Sequence, residues 1–156
     1  MLKRVLVGVL TLVTVLVGVG CNSNGTSDGD MSVLLRVDCS EVIENIGHEV
    51  YGIAEDKADI VPEIGTILEI ETSCNEGDTA FDLLISNLKA KKIHFEADDG
   101  YLTAIGNIYA GDCGANSGWM FFVNGELAEK GASDTVLNDG DKVEFKYVVD
   151  YMTLFE

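Results

Sequence analysis

The sequence predicts an α+β domain, a β-grasp-like mixed sheet carrying one main helix, and three observations predict it. Two runs of alternating apolar residues come early, at 31–39 and 66–73. A single strong helix pattern follows at 79–89, and several short alternating runs separated by Asp, Asn and Gly turns fill the rest. Strands, one helix, then strands again is the pattern of a sheet with a helix on one face.

In the first run, Val33, Leu35 and Val37 alternate with Leu34, Arg36 and Asp38, the period of a strand with one apolar face. Ser40 is the expected N-cap of a short helix over Glu41 to Ile46 that stops at Gly47. His48 to Gly65 reads as an irregular excursion, turned by Pro62-Glu63-Ile64-Gly65 into a strand where Leu68, Ile70 and Thr72 alternate with Glu69 and Glu71. These two strands are expected to pair antiparallel. Thr79 and Asp82 form a capping-box pattern for a helix through about Lys89, with Phe81, Leu84, Ile85 and Leu88 as its buried stripe. Ile93 and Phe95, the turn Asp98-Asp99-Gly100, a strand over Tyr101 to Ile105 and then Asn107-Ile108-Tyr109 come next.

The densest pattern is the last. Gly118 to Val123 sets Trp119, Phe121 and Val123 on one face and Met120 and Phe122 on the other, so both faces are apolar, as in a strand that is covered twice or meets a ligand. Asn124-Gly125 suits the left-handed backbone of a type I′ hairpin turn, with Glu126-Leu127-Ala128 returning. After Asn138-Asp139-Gly140-Asp141, Val143, Phe145, Tyr147 and Val149 alternate with Glu144 and Lys146, a strand expected to close the sheet.

Residues 1–20 join Lys3 and Arg4 to an uncharged, largely apolar run ending at Gly20-Cys21. That order is a secretory leader, with Cys21 where a bacterial lipoprotein is cleaved and lipidated; a plain membrane anchor is the other reading. Gly18 stands where the usual lipobox has Leu. Residues 21–30 then read as the lipidated Cys followed by a flexible polar tether, and 31–156 as a single folded domain. The expected location is the extracytoplasmic face of the cell membrane, held through the lipid. Loss of the leader leaves 8 basic residues against 27 acidic ones, a net charge near −19. Such a surface excludes nucleic acid and direct adsorption to anionic lipid, and it favours solubility.

Three cysteines remain, Cys39, Cys74 and Cys113. If the first two strands are antiparallel, Cys39 and Cys74 lie at opposite tips, beyond the roughly 7 Å Cα separation a disulfide tolerates. Cys39, Cys113, His48 and His94 lack the close paired spacing of zinc sites, so no metal centre is expected. Asp98-Asp99 and Asp139-Asp141 are commoner as turn residues than as calcium ligands. No nucleophile elbow, phosphate loop or HExxH motif occurs. A non-enzymatic protein without a covalent cofactor is therefore expected. The candidate ligand contacts are Tyr109, Gly118, Trp119, Met120 and Phe122, beside a glycine-rich loop from Gly111 to Gly118 that lets backbone approach a ligand. Packing is the equally ready account of any one of these side chains.

The runs Asn116-Ser117-Gly118-Trp119-Met120, Val123-Asn124-Gly125-Glu126, Gly131-Ala132-Ser133-Asp134 and Leu137-Asn138-Asp139-Gly140-Asp141-Lys142-Val143-Glu144 together resemble the bacterial DUF4430 domain. That domain is similar to the C-terminal β-domain of transcobalamin and intrinsic factor, the animal cobalamin carriers. The resemblance implies ligand contacts at Gly118, Trp119 and Met120. It also supports a disulfide between Cys39 and Cys113, since many members carry Cys near both positions, the second within a run like Asp112-Cys113-Gly114. Cobalamin or a related corrinoid is the implied ligand, delivered to a membrane importer or shared with a second binding protein, because the carriers' helical barrel has no counterpart here. The alternative expectation is an adhesion or interaction module of the cell envelope, stabilised by a metal ion such as calcium.

Overall fold

The computed structural model describes residues 31–47, 59 and 61–155. The leader, Cys21, the tether and His48 lie outside the described residues.

The strands are β1 (Met31–Asp38), β2 (Thr66–Cys74), β3 (Phe95–Asp98), β4 (Tyr101–Ile105), β5 (Ile108–Tyr109), β6 (Gly118–Val123), β7 (Glu126–Leu127) and β8 (Lys142–Val148). The helices are α1 (Ser40–Glu44) and α2 (Ala80–Lys91), with 3-10 turns at Ala132–Asp134 and Tyr151–Phe155. Five strands form a mixed sheet in the order β2-β1-β8-β6-β7, and β3-β4-β5 form a small second sheet. β1 and β8 are parallel, and their neighbours are antiparallel. The last strand thus completes the sheet from its centre rather than at its edge. The β-grasp-like arrangement predicted from the sequence is the one found.

The alternation in β1 and β8 decides the layers. Val33, Leu35, Val37, Val143, Phe145 and Tyr147 are all buried on one face. Each large side chain of this kind contributes on the order of 1.5 to 3 kcal/mol by leaving water. On the opposite face are Arg36, Glu144 and Lys146, with Met31 to Cys74 and Arg36 to Glu69 paired across the β1–β2 ladder. This register places Cys74 at the far end of the sheet from Cys39, as antiparallel pairing requires.

α2 lies on the apolar face. Its capping box is complete: Thr79 Oγ1 accepts from the Asp82 N–H (3.1 Å), and the Asp82 carboxylate accepts from the Thr79 N–H (3.2 Å). The buried stripe is Ala80, Leu83, Leu84, Asn87 and Leu88. It is rotated from the expected one, and Phe81 and Ile85 flank it half-buried. Asn87 is tolerated in that stripe because its side chain donates to the Leu83 carbonyl (2.9 Å) and is thereby satisfied inside the core.

α1 also departs from expectation. Cys39, not Ser40, is the N-cap, and Ser40 instead donates from its hydroxyl to Asp38 Oδ1 (2.6 Å). Asp38 is buried and accepts from Ser40, from Arg36 Nη2 (2.7 Å) and from Thr66 Oγ1 (3.3 Å), so its charge takes the serine that would have capped the helix. Gly65 is forced by contact. Its φ is +76°, and a Cβ there would stand 2.4 Å from Ser40 Cα.

Candidate ligand site

The glycine-rich loop is built around two hydroxyls. Tyr147, fully buried in β8, donates to the Tyr109 carbonyl (2.8 Å), and its oxygen lies 2.9 Å from Ser117 Oγ. Ser117 Oγ also donates to the Gly114 carbonyl (2.8 Å) and accepts from the Cys113 N–H (3.1 Å). Burial pushes the Tyr147 phenol up to about 12, so it stays a neutral donor. The loop is thus pinned to the sheet immediately before β6.

This pinning fixes Trp119. Its indole N–H donates to the Ile108 carbonyl (3.0 Å), and its ring meets Tyr147 edge-on with centroids 5.3 Å apart. Two residues on, Phe121 stacks on Phe145 at 5.4 Å. Trp119, Phe121 and Phe145 floor a cleft of about 290 Å³. Its walls are Phe81 of α2, Tyr101 and Leu102 of β4, and the segment from Lys130 to Asp134. Tyr101 is 74% exposed at the mouth. The Asp98-Asp99-Gly100 turn places it there: Asp99 and Gly100 have φ of +46° and +80°, and Gly100 rests against Ser133 so closely that a Cβ would meet its Oγ at 3.0 Å.

The five sequence candidates do not converge on one surface. Trp119 floors the cleft and Met120 borders it. Phe122, one face away from Trp119, pairs with Glu144 and Leu127 on the side of the sheet that carries Arg36 and Lys146. Gly118 is buried, and a Cβ there would meet Ala110 at an ordinary 3.7 Å. Tyr109 is exposed on β5 and donates its hydroxyl to Glu96 (2.8 Å), away from the cleft. Three residues of the cleft are not among those candidates: Phe81, Tyr101 and Phe145. The periodicity accounts for Phe81 as helix core and for Phe145 as the buried face of its strand, and an aromatic directly after a tight turn is the one legible sign of Tyr101.

The opposite face is an ion-pair field. Arg36 reaches Asp38 (2.7 Å), Glu144 (3.5 Å) and Glu69 (3.7 Å), and Lys146 meets Glu41 (2.6 Å). Burial acts to raise Asp38, but the bonds from Ser40 and Arg36 outweigh it and hold the carboxyl below its ordinary range. Asp139 and Asp141 are engaged in turns: Asp139 accepts from the Ser32 N–H (2.8 Å), and Asp141 from the Asn138 N–H (2.8 Å) and the Asn124 amide (2.9 Å). Among the described residues, no group of three or more potential ligands is arranged to hold a metal ion.

Cys39 and Cys113 share the second buried cluster with Val42, Ile108, Tyr147 and Val149, while Cys74 belongs to the first. All three are thiols in this structure, with no bridge formed. Burial, reinforced by Asp38 and Cys113, pushes Cys39 up to about 12, and its Sγ donates to the Gly65 carbonyl (3.1 Å).

These features define a β-grasp-like domain with an aromatic cleft where the main sheet meets the small one. Residues 77–148 match the family model of DUF4430, a domain of unknown function, so the resemblance read from the sequence holds over that span. The fold is similar to that of haptocorrin, solved in complex with Cbi, at a TM-score of 0.50 and 14% identity. That likeness covers 80% of this chain but only 26% of haptocorrin. A protein from Ruminococcus gnavus provisionally named as metal binding matches at a TM-score of 0.45 and 18% identity, over 76% of this chain and 97% of its own. No curated protein matches the chain.

Proposed function

We propose that this protein is a lipid-anchored, non-enzymatic binder of a small ligand, and specifically of a corrinoid, at the extracytoplasmic face of the membrane. The observation that carries the reading is the cleft itself: three aromatic rings floor it and an exposed tyrosine stands at its mouth. Such a site favours a flat apolar ligand with polar substituents at its rim. The fold likeness to haptocorrin, which is solved with Cbi, supports the choice of ligand. At about 290 Å³ the cleft takes one edge of a macrocycle, which leaves the rest of the ligand for an importer or a second binding protein.

The test is a titration of the purified protein with cobalamin and cobinamide, read by the fluorescence of Trp119, the sole tryptophan. Saturable quenching is expected. Tyr101→Ala should weaken binding by at least about tenfold, which is about 1.4 kcal/mol, with the melting temperature unchanged because the side chain is 74% exposed. Absence of saturation with either corrinoid would reject the reading and leave the envelope interaction module.

A further inference from the structure

We infer that the ligand of this cleft carries amide groups, which complete an unpaired backbone edge of β6; the inference rests on the small-ligand reading above. Main-chain groups alternate sides along a strand. In β6 the even-numbered positions address β8, as the bond from the Asn124 N–H to the Lys142 carbonyl (2.8 Å) shows, and the odd-numbered ones address β7, as the bond from the Ala128 N–H to the Phe121 carbonyl (3.1 Å) shows. β7 pairs only with Phe122 and Val123, and after Ala128 the chain leaves the strand. The reciprocal bond from the Phe121 N–H is not made, and the N–H and C=O of Trp119 have no partner among the described residues.

These three groups lie on the edge that the cleft borders. Trp119, Met120 and Phe121 all line it, although their side chains alternate between faces. Three consecutive residues can do so where the cleft runs along the strand edge rather than over one face. Such groups turn to water when no ligand covers them. A purely apolar ligand would displace that water and leave two donors and an acceptor unpaired, a cost that cancels much of its burial. A ligand with amide N–H and C=O groups restores those bonds while its apolar body covers the rings, as when a strand is added to a sheet edge. Amide side chains on a corrinoid and the main chain of an extended peptide both supply this chemistry.

The experiment compares cobinamide, which bears amides, with cobyrinic acid heptamethyl ester, which lacks N–H donors, and follows the Trp119 and Phe121 amide protons by NMR hydrogen exchange. Cobinamide should bind at least about tenfold more tightly, and its binding should slow exchange at both amides. Displacement of cobinamide by a capped Thr-Val-Thr-Val-Thr peptide would extend the recognised chemistry to extended main chain, and failure to displace would confine it to the macrocycle; both uphold the inference. Equal affinity of the ester and amide forms, or unchanged exchange at Trp119 and Phe121 in the saturated complex, would overturn it while leaving corrinoid binding intact. No binding of any probe would overturn both readings.

Discussion

Trp119 serves packing and cleft together, and substitutions can separate the two. Its ring touches both buried clusters and Tyr147, so Trp119→Ala should cost on the order of 3 kcal/mol of stability, measurable by urea unfolding. Trp119→Phe keeps much of the ring but loses the bond to the Ile108 carbonyl, and about 1 kcal/mol is expected. Asp38 gives a pH signature. Its folded-state pKa is depressed, so the stability it contributes is present above its unfolded pKa of about 3.9 and is lost as pH falls through the lower folded value. Asp38→Asn should therefore destabilise by roughly 1 to 3 kcal/mol at neutral pH. The gap between variant and parent should narrow as unfolding midpoints are followed from pH about 5 to pH about 2.

At the scale of the elements, the contact between the β2 entry and α1 is a close one. The Gly65 carbonyl accepts from both the Cys39 N–H (2.7 Å) and Cys39 Sγ, and a side chain at Gly65 would collide with the Ser40 backbone. Gly65→Ala combines that collision with a left-handed φ, and a loss of roughly 2 to 4 kcal/mol is expected by thermal or urea unfolding. Thr79→Ala tests the capping box of α2 and should cost about 1 kcal/mol. The hairpin turn was legible because Asn124 and Gly125 have φ of +55° and +86°, a backbone that few residue pairs other than Asn-Gly adopt without strain. Ser40 misled because a cap is a competition: the buried carboxylate of Asp38 takes the hydroxyl that the helix end would otherwise use.

For the whole molecule, the expected Cys39–Cys113 bridge would tie α1 to the glycine-rich loop and close a long stretch of chain, adding roughly 2 to 4 kcal/mol. Both thiols lie in one buried cluster and Cys74 in another. Peptide mapping of the oxidised protein without reduction should therefore yield a linked Cys39 and Cys113 fragment pair, and a pair containing Cys74 would contradict this topology. Local periodicity was enough to read most strands, the main helix, the turns and the fold class, because each depends on residues a few positions apart. The same periodicity placed Met120 and Phe122 opposite Trp119 and put Val143, Phe145 and Tyr147 on one buried face. What it could not supply was which strands become neighbours. The parallel pairing of β1 with β8 and the docking of Tyr101 beside Phe81 and Trp119 join residues far apart along the chain. Those tertiary contacts alone made a cleft from side chains that each looked, along the chain, like ordinary core or turn.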